Sequence, residues 1–431
     1  MKPITFCIAT AKNEKEYIKL LIQSLRDHTD LDKHEILVFI DSDNQNTYEM
    51  LLNIKKELPN LRIYNNQSGF PLGGQRNITL MFNAASNDIV CYLQSDMVVG
   101  KDFDKYILDN LTDENTVLSC ARIEPPLHPA SPEKIVKDFG VTPESFDYTA
   151  FNEFVDELQA ENRPNMVGHF APFAVYRYAW ISKLGGFDTQ FRCSREDSDT
   201  IIRMELCGLD MIQSWNACVY HFTCVSSRGN DWYEQTKEAN YKNALQMQAD
   251  EQELKRFIRK WGFFGHHPKP VYDITLNIEL DQYADFNLLK AIEPYCTRMN
   301  LSNKEVAEQL ASQLEFDAQY YSNLRWNYTQ DHWNKVKHLF NPTNFNKRIL
   351  SSSEVVGDTI IDMKYSNIVE HWNHVRGLIE NVHQIVYSNE EGSYDGDFCT
   401  IHIHKKNNLM NSYAKHSDID LLLNEQTFDF I

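Results

Sequence analysis

Apolar residues in the first hundred positions alternate between short unbroken runs and helical spacing. Ile4–Ala9 is an uncharged run and predicts a buried strand. Glu14–Arg26 sets Tyr17, Ile18, Leu21, Ile22 and Leu25 at the helical period and predicts a helix. Glu35–Ile40 predicts a second buried strand, which ends in Asp41-Ser42-Asp43. Thr47–Leu58 predicts a second helix, stopped by Pro59, and Leu61–Tyr64 a short third strand. Strands that alternate with helices and are apolar throughout predict a parallel sheet of right-handed crossovers. Ligands on such sheets bind at the carboxyl ends of the strands. Thr10 and Asp41 fall there.

A polar, glycine-rich loop, Gly69 to Asn77, leads into an apolar helix, Ile78–Ala85. Gly73 and Gly74 permit close backbone approach, and Arg76 near the helix start suits a phosphate or a nucleotide. The glycine spacing matches neither a P-loop nor G-x-G-x-x-G, and an ordinary loop and cap would use the same residues. The next buried strand starts at Asp88 and ends at Gln94-Ser95-Asp96. A carboxylate at that point suits a hydrated divalent cation that also takes phosphate oxygens; a turn-forming Ser-Asp pair would look the same.

Residues 120–165 carry Pro125, Pro126, Pro129, Pro132 and Pro143, which predict an excursion over the surface, partly helical at Phe146–Leu158. Such long loops shape substrate sites. Apolar character returns over Met166–Trp180. The densest stretch is Gly185–Phe222: a Gly-Gly turn, the carboxylates Glu196, Asp197 and Asp199, a helical segment with Ile201, Ile202, Leu206 and Leu209, and a stop at Gly208. A short strand, Ala217–Tyr220, then delivers His221. Acids at a helix start complement its dipole, and they also suit acid/base chemistry when a histidine stands nearby.

The second half reads differently. Asp231–Trp261 is strongly helical, and Gly262, Gly265, Pro268 and Pro270 mark a boundary. Beyond it, Val271–Leu280 alternates like a strand. Phe286–Ile292, Lys304–Leu314 and Tyr320–Leu339 read as helices; Thr359–Met363, Gln384–Tyr387 and Phe398–His404 read as strands. The segments starting at Asp331 and Glu370, DHWNKVKHLF and EHWNHVRGLI, resemble each other as a weak internal repeat or by chance. His371 with His374, and His402 with His404, have spacings that metal sites use, but no acid or cysteine cluster accompanies them. They read as packing or solvent-facing residues.

Composition narrows the partners. The chain has 431 residues and a net charge of −19, so its field repels phosphate backbones and general nucleic-acid binding is not expected. An acidic protein that takes a phosphorylated ligand needs local compensation from a divalent metal or an arginine. No apolar run is long enough to span a bilayer. Nine cysteines without a C-x-x-C pair suggest reduced thiols and a cytoplasmic protein.

Taken in order, Asp41, Gly73-Gly74-Gln75-Arg76-Asn77, Gln94-Ser95-Asp96, Gly185-Gly186-Phe187-Asp188, Arg195-Glu196-Asp197-Ser198-Asp199 and Val219-Tyr220-His221 resemble the family 2 glycosyltransferases of the GT-A fold. The resemblance spans about residues 1–230. It implies a Rossmann-like α/β catalytic domain with a mostly parallel sheet flanked by helices. A helical linker over 231–268 and a C-terminal accessory domain over 269–431, α/β or mainly helical, complete the expected organisation. The resemblance assigns Asp41, with Asp43 and Thr10 beside it, to the nucleotide, and Arg76 to the same ligand. It puts the family's Asp-x-Asp at Gln94-Ser95-Asp96, where glutamine replaces the first aspartate. Gln94 and Ser95 would then contact the sugar nucleotide, while Asp96 and His221 would bind Mn²⁺ or Mg²⁺. Glu196 and Asp197 match the family's Glu-Asp pair, with Asp197 as general base.

The expected activity is therefore inverting transfer of a sugar from a nucleotide-sugar donor, with UDP-sugars favoured, to a hydroxyl acceptor. One base takes the acceptor proton and one cation neutralises the leaving diphosphate. The acceptor is open: a glycan, a protein, a lipid carrier or a modified nucleobase. Two other readings stand beside it. A nucleotidyltransferase can share the sheet and metal site, but Ala9-Thr10-Ala11-Lys12-Asn13-Glu14 lacks the glycines expected after its first strand. A non-catalytic sugar- or partner-binding module is motivated by Gln94 and opposed by Asp96, Asp197 and His221.

Overall fold

A computed structural model describes residues 2–67, 72–168, 172–188, 191, 195–223, 225, 252–261, 273–324 and 344–405. They fall into two compact units, one ending at Val225 and one beginning at Gln252.

The first unit is built on a ten-stranded sheet with path order β3-β2-β1-β4-β9-β6-β10-β5. The strands are β1 (Ile4–Thr10), β2 (Glu35–Ile40), β3 (Leu61–Asn65), β4 (Ile89–Gln94), β5 (Met97–Val99), β6 (Thr116–Glu124), β7 (Lys134–Val136), β8 (Met166–Val167), β9 (Phe173–Tyr176) and β10 (Asp210–His221). β3, β2, β1 and β4 run parallel, as do β6 with β7 and with β10. β9 is antiparallel to both β4 and β6, and β5 is antiparallel to β10.

Both faces of the central strands are buried, which is why their sequences are continuously apolar instead of alternating. Phe6, Ile8, Val38 and Ile40 face one core with Ile18, Leu21 and Ile22 of α1 (Lys15–His28), Leu51 of α2 (Thr47–Lys55), and Phe103 and Ile107 of α4 (Phe103–Asn110). Cys7, Leu37, Phe39 and Val90 face the other core, with Ile78, Met81 and Phe82 of α3 (Gly74–Ala84), Trp180 of the π-helical turn Ala179–Leu184, and Ile201 and Met204 of α6 (Glu196–Leu206). The proline-rich excursion is short strand β7, a 3₁₀ turn and helix α5 (Tyr148–Ala160), which buries Phe151, Val155 and Leu158.

Several elements are longer than their sequence signals. α3 begins at Gly74, four residues before the apolar run, because its first turn is polar. The strand expected at Ala217–Tyr220 is the end of a 12-residue strand. A register shift between Ser214 and Cys218 interrupts its pairing and breaks the alternation that would have revealed the whole element.

The second unit is also α/β, as one of the two expected alternatives has it. Its six-stranded sheet has the order β13-β12-β11-β14-β16-β15, with β11 (Ile274–Glu279), β12 (Arg298–Leu301), β13 (Ile349–Leu350), β14 (Thr359–Lys364), β15 (Gly392–Asp395) and β16 (Cys399–Ile403). The first four are parallel, and β16 is antiparallel to β14 and β15. One face packs on helices through Leu276, Met299, Ile361, Leu289, Leu310 and Val375. Residues 252–261 are helical and add Ile258 to that core. Buried Glu293 joins this helix to Phe345–Arg348: it binds Arg259 at 2.6 Å and also pairs with Arg348.

The strand expected over Gln384–Tyr387 is instead a helix, Val382–Ser388. A short apolar run fits either period, and here Val382 and Val386 reach the core one turn apart. Lys304–Leu324 is one continuous helix, without the break expected after Leu314. The repeat copy at Asp331, the boundary glycines and prolines at 262–270, and residues 231–251 and 325–339 of the expected helices lie outside the described residues.

Candidate active site

The register of the sheet assembles the site. In the parallel pair β6–β10, Tyr220 lies beside Ile123, so the next residues, His221 and Glu124, are neighbours. In the antiparallel pair β5–β10, His221 lies opposite Met97, so Asp96 is next on that side. Phe222 N–H donates to the Asp96 carbonyl at 3.0 Å and closes the junction. His221 thus stands between two carboxylates: Nδ1 is 2.9 Å from Glu124 Oε1 and Nε2 is 3.6 Å from Asp96 Oδ2.

Glu124 lies in the excursion and carries no sequence signal of its own. It is 3% exposed, and its second oxygen accepts from Lys134 Nζ at 2.7 Å. Burial pushes its carboxyl up, but His221, Arg122 and Lys134 outweigh that and hold it at about 2.

Glu14 is the second residue that sequence reasoning missed; there it reads only as a helix start. It is 1% exposed. Its Oε2 accepts from Ser95 Oγ at 2.6 Å, Ala11 N–H at 2.8 Å and Thr10 Oγ1 at 3.0 Å, while Oε1 has no partner. Burial is the main reason its carboxyl rises to about 7; the charge of Asp96 adds to the rise and the three donors oppose it. Thr10, Ser95 and Asp96 are therefore brought together around one buried carboxyl.

Tyr92 marks where the acids of α6 arrive. Burial raises its phenol, and the charges of Glu196, Asp96 and Glu14 raise it further. Glu196, from the start of α6, and Asp96 therefore both lie within electrostatic reach of this ring. Gln94, half-buried, also hydrogen-bonds Tyr92. Asp197 is exposed and accepts from Ser198 N–H at 2.6 Å. Asp199, which shares the acidic run, is spent inside the unit. It forms a fully buried ion pair with Arg203 at 2.8 Å, and Arg203 also holds the carbonyls of Leu184 and Gly186. That clamp fixes α6 against a turn whose Gly185 and Gly186 have φ of 77° and 80°, a region that disfavours other residues.

The nucleotide-side candidates are spent on local structure to different degrees. Asp41 N–H donates to the Thr10 carbonyl at 2.9 Å. The Asp41 carboxylate accepts from Leu72 N–H at 2.7 Å and Gly73 N–H at 2.9 Å, so it pins the loop before α3. Gly73 makes this approach at φ 95°. Burial, opposed by these donors, raises the Asp41 carboxyl. Asp43 accepts from Gln45 N–H at 2.9 Å and Tyr48 N–H at 3.0 Å and so serves the start of α2. Arg76 is buried on the first turn of α3.

Backbone strain concentrates near these groups. Asn13, Arg195 and Thr223 have φ of 66°, 66° and 60°, and they stand within two residues of Glu14, Glu196 and His221 respectively. A β-branched or bulky residue in that region costs about 1–3 kcal/mol, a strain commonly stored at functional sites.

Among the described residues no group of three or more His, Cys, Asp or Glu has metal-binding geometry. The Asp96–His221 pair nonetheless fits two ligands of one divalent ion. Bonds of about 2.1 Å at angles of roughly 90–120° separate two donor atoms by about 3.0–3.7 Å, and the pair stands at 3.6 Å. The remaining positions would belong to diphosphate oxygens and water, as a hard cation prefers. Glu124 on the far ring nitrogen is the support that metal-binding histidines usually have.

A model of the family described as glycosyl transferase family 2 matches residues 6–185. The match contains Thr10, Glu14, Asp41, Arg76, Asp96 and Glu124, and ends before Glu196, Asp197 and His221. Solved structures with a related arrangement include TarS of S. aureus (16% identity, TM-score 0.38, covering 60% of this chain and 44% of that one). A second is the mannosyltransferase PcManGT from Pyrobaculum calidifontis in complex with GDP-Man and Mn²⁺ (15%, 0.39, covering 59% and 64%). A third is GalNAc-T7 with UDP, GalNAc and Mn²⁺ (11%, 0.43, covering 60% and 48%). The chain thus spans about half to two thirds of the length of these proteins. No curated protein matches the chain. No helix among the described residues is long and apolar enough to cross a membrane. Residues 6–185 thus match a glycosyl transferase family 2 domain, built on a mostly parallel sheet flanked by helices.

Proposed function

We propose that the protein is an inverting, cation-dependent glycosyltransferase that uses a nucleotide-sugar donor, a UDP-sugar in preference to others, and a hydroxyl acceptor. The observation that carries this reading is the Asp96–His221 pair, 3.6 Å apart at the carboxyl edge of the sheet; Glu196 and Asp197 open α6.

In this reading Asp96 and His221 hold Mn²⁺ or Mg²⁺, which when bound neutralises charge on the departing diphosphate. Thr10 and Asp41 lie at adjacent strand ends and receive the nucleoside, Asp41 through the loop it pins. Arg76, buried on the first turn of α3, would lend positive charge to the nucleotide. Gln94 and Ser95 orient the donor beside Asp96. Asp197 is exposed and therefore reachable by an acceptor hydroxyl, whose proton it takes as the oxygen attacks the anomeric carbon. Glu196, half-buried beside it on the first turn of α6, supports it at the site. The acidity around the site, from Asp96, Glu196 and Asp197, would make a dication the condition for admitting a diphosphate.

Asp197→Asn tests the assignment. Transfer should fall by about 10²–10⁴-fold while nucleotide affinity stays within about twofold of wild type. Equal loss of binding and transfer would remove Asp197 from the role of base. Full activity would remove the mechanism.

A further inference from the structure

We infer that Glu124 is a positioning residue for the cation site, with Lys134 as the counter-charge that ties the surface excursion to it. The inference rests on the reading of Asp96 and His221 as cation ligands.

The geometry points one way. Both oxygens of Glu124 are committed: Oε1 lies 2.9 Å from His221 Nδ1 and Oε2 lies 2.7 Å from Lys134 Nζ. Arg122 Nη1 stands 3.6 Å from Oε1. The Glu124 and Lys134 side chains are 4% and 7% exposed, so water competes little for either bond. A carboxylate can only accept, so the proton of a neutral His221 ring sits on Nδ1. The lone pair is then on Nε2, the nitrogen that faces Asp96. Without Glu124 nothing described would hold the ring in that tautomer, and the other tautomer would point N–H at Asp96 and close the pair with a hydrogen bond.

Lys134 gives the arrangement its second property. It sits on β7, in the proline-rich excursion, and β7 pairs with β6 at Arg122, Ile123 and Glu124. Arg122 reaches Glu133 as well, and the Glu133 carbonyl accepts from Gln213 of β10 at 2.9 Å. The excursion is thereby fastened to the strand that carries His221. A purely structural ion pair would need only Lys134 and Glu124; it would not require the carboxylate's other oxygen to face a ligand's ring nitrogen.

The test uses the full chain. The tautomer of His221 is read by long-range ¹⁵N–¹H correlation in the metal-free protein at a pH where the ring is neutral, and Mn²⁺ affinity is read by the EPR signal of the free ion, with and without UDP. Wild type should show the Nδ1–H form, and Glu124→Ala the Nε2–H form. Mn²⁺ affinity should fall about 10–100-fold in Glu124→Ala, with Glu124→Gln in between because its amide oxygen still accepts. Lys134→Met removes a positive charge near the ion and should leave Mn²⁺ affinity equal or higher. Thermal unfolding of each variant identifies any that fail to fold; for these, Glu124→Gln alone decides. An unchanged tautomer in Glu124→Ala, wild-type Mn²⁺ affinity in Glu124→Gln, or weaker Mn²⁺ binding in a folded Lys134→Met would each overturn the inference. If His221→Ala binds Mn²⁺ as tightly as wild type, the cation reading itself fails and takes the inference with it. The tautomer result still reports separately whether Glu124 controls the ring.

Discussion

The two units share a strand order and differ in what stands at its ends. In the first, β3-β2-β1-β4 runs parallel; in the second, β13-β12-β11-β14 does the same. Each therefore reverses direction of assembly beside its first strand, the place where open α/β sheets bind ligands. In the first unit that place holds Thr10, Glu14, Ser95 and Asp96, with one buried Glu14 oxygen unbonded. In the second the corresponding loops bond each other. Asp281 accepts from Ser366 N–H at 2.9 Å and from its hydroxyl at 2.5 Å, the Tyr365 hydroxyl accepts from Asp285 N–H at 2.7 Å, and Leu280 N–H donates to Ser302 at 2.8 Å. Among the described residues, these loops spend those hydrogen bonds on one another. The same strand order thus carries different bonding capacity at its ends, and topology alone does not locate function.

The buried glutamates repeat the lesson. Glu14 has donors but no cation, and burial raises it to about 7. Glu293 is more deeply buried, yet Arg259 and Arg348 overcome that burial and hold it at about 2. One carboxyl is left sensitive to its surroundings; the other is neutralised as a structural clip.

Breaking the clip should have the largest effect on stability. Glu293→Ala removes the fully buried carboxylate that both Arg259 and Arg348 pair with and should cost about 3–5 kcal/mol in denaturant unfolding, with nucleotide affinity of the folded protein unchanged. A change below about 1 kcal/mol would show that the triad is not a clip. In the wild type, Glu293 also contributes stability that is present above its unfolded value of about 4.5 and lost as pH falls toward about 2.

Glu14 has the opposite sign. Its folded value is raised, so its contribution is fully present below about 4.5 and is lost as pH rises through about 7. The span corresponds to on the order of 3 kcal/mol. Glu14→Gln should flatten the stability profile between pH 5 and about 8. An unaltered slope would mean that the carboxyl ionises freely and the contrast with Glu293 is false. The smallest effect belongs to these loops of the second unit: Ser366→Ala should leave nucleotide affinity within about twofold of wild type. Tighter or lost nucleotide binding would place a ligand in the second unit after all.

Much of the first unit was legible because buried parallel strands are uninterrupted apolar runs, and acids that end such runs stand out. Asp41, Asp96 and His221 are all found that way. Glu124 also ends a strand, but Arg122 precedes it and Pro125-Pro126 follows. The segment therefore reads as the start of a surface excursion; only the register with β10 reveals its partner. Glu14 was hidden by its position at a helix start, where an acid is ordinary. The acidic run at 196–199 could be divided only in three dimensions, although Arg203 four residues after Asp199 carries the signal of a helical ion pair. In the second unit the apolar run around Ile385 fitted both periods, and burial of Val382 and Val386 on one helical face decided it.

The most direct test is calorimetry of UDP, GDP, CDP and dTDP binding to the wild type, with Mn²⁺ and with EDTA, repeated on Asp96→Asn and His221→Ala. The account predicts that one nucleotide, UDP first, binds only with the cation, and that either substitution weakens that binding at least about tenfold. Equal binding in EDTA, or wild-type affinity in both variants, would contradict it.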